Sequence, residues 1–138
     1  MRASTPTASA GRDAGPNRIV HLVDDDAAVR HSASLMLRGL SYRVKTYASG
    51  PALLQAGVRL APGPILIDVR MPEMDGIEVQ AALSASGIPF PVIIMTGHGD
   101  INLAVQAMNA GAVDFIEKPF ERATLLGALE RAFVRMAD

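Results

Sequence analysis

Asp24, Asp25 and Asp26 in an unbroken run, a solitary Asp68, Thr96, and the lysine of Glu117-Lys118-Pro119-Phe120 carry groups suited to one kind of chemistry. Carboxylates gathered within a few ångströms repel one another, and each resists ionisation unless a cation joins them. A hard divalent ion with oxygen ligands resolves that conflict. Mg²⁺ suits it, because it keeps several waters and takes one or two carboxylates together with phosphate oxygens. A lysine ammonium on a flexible stem fits a phosphoryl oxygen or a carboxylate, and a threonine hydroxyl can donate to a phosphoryl oxygen. Brought together, these groups form a cradle for in-line phosphoryl transfer, where positioning and charge neutralisation do most of the catalysis. Asp68, alone on its segment, is the expected nucleophile, with an aspartyl phosphate as its product.

These residues are distant in sequence, so the fold must bring them together. Each follows a short apolar run. IVHLV (Ile19–Val23) precedes the three aspartates, PILID (64–68) ends in Asp68, PVIIM (91–95) is followed by Thr96, and AVDFI (112–116) leads to Lys118. A fifth run, YRVKTY (42–47), is flanked by polar residues, ends in no reactive group, and reads as an outer strand. The intervening segments have helical spacing. Val29, Ala33, Leu37 and Leu40 share one stripe with Met36 beside it; Ser49 can cap a short helix to about Gln55, ended near Gly57. A helix from about Ile77 to Leu83 stops before Gly87. Asp100 is expected to cap a helix whose stripe is Ile101, Ala104, Val105 and Met108, closed by Gly111. The last helix carries Leu125, Leu129, Ala132 and Met136, with Leu126 and Phe133 alongside.

Strands that alternate with helices and are apolar throughout need cover on both faces, which predicts an α/β, doubly wound parallel sheet of five strands and five helices. Right-handed crossovers leave few topologies. In such sheets ligands bind beyond the carboxyl ends of the strands, at the switch point in strand order. That is where the acids, Thr96 and Lys118 would gather.

Composition narrows the function. A chain of 138 residues suits one domain, and 49% apolar content can fill its core. A formal net charge of -1 argues against a direct nucleic-acid partner. The absence of cysteine excludes disulfides, thiolate metal sites and a cysteine nucleophile. No apolar run approaches the roughly 20 residues needed to span a bilayer, so no membrane span is expected. Residues 1–17 have no secretory apolar core; Arg2 and Arg12 faintly resemble a transit peptide, but Asp13, Gly15 and Pro16 spoil it, and a disordered tail is the expectation.

VHLVDDDAAVR, ILIDVRMPEMDG, VIIMTGHGD and AVDFIEKPF resemble the sequence blocks of response-regulator receiver domains, particularly the FixJ type. The resemblance runs from Ile19 to the C-terminus, giving a receiver domain over 18–138. It implies a flavodoxin-like, CheY-like sheet in the order 2-1-3-4-5. It implies Mg²⁺ held by Asp24, Asp25, Asp68 and the backbone carbonyl of Arg70, with Asp68 as phosphoacceptor, Thr96 as switch hydroxyl, Lys118 as the essential lysine and Phe115 as the aromatic switch. A cis Lys118–Pro119 bond is expected on the same ground. Phosphorylation would draw Thr96 toward the phosphoryl group, let Phe115 turn inward, and repack the face of helix four, strand five and helix five, including Asn102, Gln106, Asn109 and Arg122. Gly97 and Gly99, flanking His98, would give the moving loop its freedom. The implied partners are a sensor histidine kinase or histidine phosphotransferase, a downstream protein target, and a second copy in a phosphorylation-dependent homodimer. The implied location is cytoplasmic. Such a domain is not an enzyme but a phosphoacceptor that assists its own phosphorylation and dephosphorylation. A single-domain regulator is favoured over the excised receiver of a transcription factor, because the N-terminal tail looks native.

Plainer roles fit other residues. Asp26 reads as the cap of the first helix, His21 as a residue packed within strand one, His31 as solvated, and His98 as a loop residue near the site that tunes phosphate lifetime or partner contact. The Arg70 side chain should reach the rim, and the seven methionines should fill core. Three rival functions fit less well. A haloacid-dehalogenase-type phosphatase would have a threonine where Ala28 stands, and there is no room for its cap. A flavodoxin-like electron carrier would set three aspartates against its cofactor's phosphate. A degenerate receiver would lack one of the reactive groups, and all are present.

Overall fold

Five apolar runs form five parallel strands, hydrogen-bonded in the order β2-β1-β3-β4-β5. The computed structural model describes residues 18–137, and the expected tail lies outside them. The strands are β1 (Ile19–Val23), β2 (Arg43–Tyr47), β3 (Ile65–Asp68), β4 (Val92–Thr96) and β5 (Asp114–Glu117). The helices are α1 (Ala27–Gly39), α2 (Gly50–Ala56), α3 (Gly76–Ala85), α4 (Ile101–Asn109) and α5 (Arg122–Ala137), with a 3-10 turn at Gly57–Arg59. Every residue of β1, β3 and β4 is buried, whereas β2 and β5 keep exposed positions as the two edges.

Side-chain alternation divides the core into two layers. Val20, Leu22, Leu66, Ile93 and Met95 pack with Leu37, Leu125 and Leu129 from α1 and α5. Val23, Ile65, Ile67 and Ile94 pack with Leu53, Val79 and Leu83 from α2 and α3. Each such Leu or Ile contributes about 1.5–3 kcal/mol on burial, so the central strands are held from both sides. Register then places the reactive residues. Val23 lies opposite Ile67, Asp68 opposite Met95, and Thr96 opposite Glu117. Asp24, Asp68, Thr96 and Lys118 therefore emerge at one end of the sheet, and β1 and β3 flank the point where strand order reverses.

Helix starts are fixed locally. The Asp26 carboxylate accepts from the N–H groups of Ala28 and Val29, the expected cap. Asp75 and Glu78 form a reciprocal capping box at α3, an arrangement worth about 1 kcal/mol, and Ser49 caps α2. Helix α3 starts one residue earlier and ends two later than its apolar spacing suggested, and β5 begins at Asp114, because Ala112 and Val113 serve as lead-in.

Helix α4 departs from expectation. Ile101, Val105 and Met108 are 59%, 51% and 38% exposed, while Ala104 and Ala107 are the buried positions. Small side chains let the helix lie close on the sheet and leave its large apolar residues outside. Asp100 makes no side-chain cap there. The methionines also differ from expectation: among the described residues Met95 is fully buried, but Met108 is exposed. No helix among the described residues is long and apolar enough to cross a membrane.

His21 is fully buried in β1, and its ring bonds Tyr47 Oη through Nδ1 (3.0 Å) and the Ala61 carbonyl through Nε2 (2.8 Å). Burial pulls its pKa below the usual imidazole value, against the Ala61 bond, which raises it. A depressed folded pKa means that the neutral ring's contribution is intact above about pH 6.5, the unfolded value, and is lost as pH falls through the folded one. Stability measured by urea unfolding should therefore decline as pH drops below about 6.5. His21→Leu should be less stable at pH 8 yet decline less steeply; an unchanged slope in that variant counts against this account.

Candidate functional site

The site lies beyond the carboxyl ends of β1, β3, β4 and β5. The Lys118 ammonium sits at its centre, donating to Asp68 Oδ2 at 3.0 Å and Asp24 Oδ2 at 3.2 Å. Asp24 is completely buried, Asp68 is 7% exposed, and Asp25 is open at the mouth. Asp24 Oδ1 also accepts the N–H of Asp26, and Arg30 donates to the Asp24 carbonyl, which fixes the turn out of β1. The Lys118–Pro119 bond is cis, as the resemblance implied.

One carboxylate oxygen from each of Asp24, Asp25 and Asp68 lies within 4.8 Å of the others. Three carboxylates against one ammonium leave excess negative charge in a mostly buried recess. Burial raises the Asp68 pKa above the carboxylate norm, and Asp24 adds to this; the bonds from Lys118 and the Arg70 N–H return only part. Burial alone would lower Lys118, but Asp68 and Asp24 outweigh it and hold its ammonium above the ordinary lysine value. This all-oxygen, charge-rich donor set is the kind that a hard divalent cation suits. Gly76 permits the recess: a Cβ there would come within 2.8 Å of the Asp68 carbonyl oxygen and 3.0 Å of Val69 Cα, so α3 can start close behind β3 only without a side chain.

Thr96 is 3% exposed, and its hydroxyl donates to the Ile116 carbonyl at 3.4 Å, which ties it to β5. Phe115 stands on the outer edge strand, 36% exposed. His98 is fully exposed in the loop after Thr96, with Nδ1 3.7 Å from Glu117, and His31 is also exposed. Asn102, Gln106 and Asn109 are exposed on α4. Arg122 does not join them; its guanidinium donates to the Gly39 carbonyl at the end of α1.

The Arg70 N–H donates to Asp68 Oδ1 at 3.1 Å, while its side chain reaches the rim as expected. There it meets Asp100, a partner that sequence reasoning missed by assigning that residue to a helix cap. Nothing in sequence pairs residues thirty positions apart. Gln80 was missed as well: buried in α3, it donates to the Ala107 carbonyl of α4.

A family model described as the response regulator receiver domain matches residues 20–130. The chain is 46% identical over 119 residues to the transcriptional regulatory protein FixJ of Azorhizobium caulinodans, covering 86% of this chain and 56% of that protein. It is 46% identical over 114 residues to the response regulator protein TmoT of Ectopseudomonas mendocina, covering 83% of this chain and 52% of that one. It thus spans about half the length of these curated relatives. A crystal structure of FixJ-N superposes with a TM-score of 0.81 at 45% identity, covering 84% of this chain and 93% of the other. With the strand order, the recess of acids and the match over most of its length, the chain belongs to the response regulator receiver domain family.

Proposed function

We propose that this chain is the phosphoacceptor of a two-component signalling system, taking a phosphoryl group on Asp68 from the phosphohistidine of a sensor histidine kinase or a histidine phosphotransferase. The observation that carries the reading is the convergence of Asp24, Asp25 and Asp68 within 4.8 Å around Lys118, at the switch point of the sheet. Asp24, Asp25, Asp68 and the Arg70 carbonyl would hold Mg²⁺. When bound, the ion supplies charge neutralisation to the carboxylates and the phosphoryl oxygens.

An Asp68 carboxylate oxygen attacks phosphorus while the phosphorus–nitrogen bond of the donor imidazole breaks and its electron pair leaves with the ring nitrogen. Lys118 then exchanges its carboxylate partner for a phosphoryl oxygen, and Thr96 gives up the Ile116 carbonyl to donate to another. Phe115, standing outside, turns into the space that Thr96 vacates. The donor has room to approach: an apolar groove of about 420 Å³ between α1 and the Lys118–Phe120 segment opens beside the lysine. The output face is α4 and β5, where Ile101, Val105, Met108 and Phe115 offer exposed apolar surface to a downstream protein or a second copy. Relatives named as transcriptional regulators support a role upstream of transcription, and a cytoplasmic location goes with that reading.

Intact-mass measurement after incubation with acetyl phosphate tests this reading. One phosphoryl adduct is expected with Mg²⁺ and none with chelator. Absence of an adduct in both conditions overturns it.

A further inference from the structure

Two loops, one following Asp68 and one following Thr96, are joined at the rim by a single ion pair. Arg70 Nε donates to Asp100 Oδ1 at 2.7 Å. The other oxygen of Asp100 accepts the Gly97 N–H at 3.3 Å, and the Asp100 N–H donates to the Gly97 carbonyl at 3.2 Å. Since the Arg70 N–H contacts Asp68 Oδ1, a continuous chain of bonds runs from Asp68 through Arg70 and Asp100 to Gly97, the neighbour of Thr96. Asp100 stands where a carboxylate ordinarily bonds the first-turn N–H groups of its helix, yet it makes no such bond to α4. Its charge is committed to Arg70, and that bond is the main cause of its lowered pKa.

We propose that the Arg70–Asp100 pair is a latch that holds the loop between β4 and α4 in its unphosphorylated arrangement, and that a phosphoryl group on Asp68 opens it by competing for the Arg70 guanidinium. The proposal rests on the phosphoacceptor reading and adds how the site controls its switch loop. A phosphoryl group brings up to about two negative charges and oxygens that a guanidinium fork matches. It would arise beside the residue whose backbone already touches Asp68. The Arg70 side chain is 69% exposed and free to turn, whereas that of Asp100 is only 11% exposed. Once Arg70 leaves, the Asp100 carboxylate is free to accept from the first-turn N–H groups of α4, as a side chain at that position ordinarily does. Turning to cap that helix releases Gly97, and with it the backbone that keeps Thr96 on Ile116. Gly99, at φ 89°, lies inside the released segment. Asp100 is a positioning residue in this scheme, acting through Arg70 and Gly97.

The test uses Asp100→Asn in the full chain, which keeps shape and the ability to accept from Gly97 but removes the charge. Amide hydrogen exchange over 97–103 in the unphosphorylated protein should rise about 2- to 5-fold, the range for an exposed ion pair. The apparent affinity for beryllofluoride, a stable stand-in for the phosphoryl group, should rise by a similar factor, because opening costs less. Wild-type exchange there should also rise in about 0.5 M KCl, where screening is strong, and exchange in Asp100→Asn should not. Rescue comes from the reversed pair, Arg70→Glu with Asp100→Arg, which should return exchange toward wild type. Unchanged exchange and unchanged beryllofluoride affinity in Asp100→Asn overturn the latch alone. A wild type that fails to bind beryllofluoride overturns the phosphoacceptor reading, and the release half of the proposal falls with it.

Discussion

Asp68→Asn is expected to abolish phosphoryl uptake from acetyl phosphate and, at the same time, to make the Mg²⁺-free protein more resistant to urea at neutral pH. The first effect comes from chemistry: an amide offers no anionic oxygen to attack phosphorus, and no other carboxylate stands on β3. The second comes from electrostatics. Burial, with help from Asp24, raises the Asp68 pKa. A raised folded pKa means a contribution to stability that is fully present below the unfolded value, about 3.9, and is lost as pH rises through the folded one. Wherever the folded carboxylate is ionised, its buried charge therefore works against folding. An isosteric amide removes that charge and leaves Lys118 with Asp24. The gain should shrink as pH falls toward 4 and when Mg²⁺ stabilises the wild type by mass action. Normal uptake by the variant would falsify the assignment of Asp68 as acceptor. A lower urea midpoint at pH 7 would show that its charge supports the fold.

The same residue shows why so much of the site was legible in sequence. Parallel strands joined by helices must all end at one edge of the sheet, so the four apolar runs alone place Asp24, Asp68, Thr96 and Lys118 along that edge. Strand direction, and every placement it dictates, was readable. How closely an element lies on its neighbour, or which way a polar side chain turns, was not. Ile101, Val105 and Met108 have the spacing of a buried stripe, and spacing is indifferent to whether that stripe faces the sheet or solvent. The two alanines that seat α4 carry too little apolar surface to decide it. Asp100 has the sequence position of a cap, and only the arrival of Arg70 from another loop takes its carboxylate away. His21 was readable as a packed residue, but the Tyr47 and Ala61 groups that satisfy its ring come from an edge strand and a loop whose approach no pattern encodes.

Lys118→Ala should separate three properties that the wild type joins: stability, uptake and switching. The lysine is the cation shared by Asp24, which is fully buried, and Asp68; its own side chain is 22% exposed. Removing one member of a buried pair typically costs about 3–5 kcal/mol, and the partial opening of this one to water argues for about 2–3 kcal/mol at pH 7.5 without Mg²⁺. The sign with pH is set by the raised Lys118 pKa, whose contribution is present below the unfolded value of about 10.4 and so spans the neutral range. In the variant the stranded carboxylates can recover neutrality by binding protons, so the deficit should narrow at pH 5. They can also recover it by binding Mg²⁺, so the urea midpoint should gain more from Mg²⁺ than that of the wild type does. Uptake from acetyl phosphate should persist at a reduced rate, because Asp68, the proposed acceptor, and the carboxylates proposed to hold Mg²⁺ remain. Switching should not persist, because the phosphoryl group no longer meets the ammonium that draws its oxygens toward β5. Hydrogen exchange over α4 and β5 should then be the same with and without phosphorylation. A wild-type exchange response in this variant would sink the switching role of Lys118 and leave Thr96, with its hydroxyl on Ile116, as the group that couples Asp68 to the outer face.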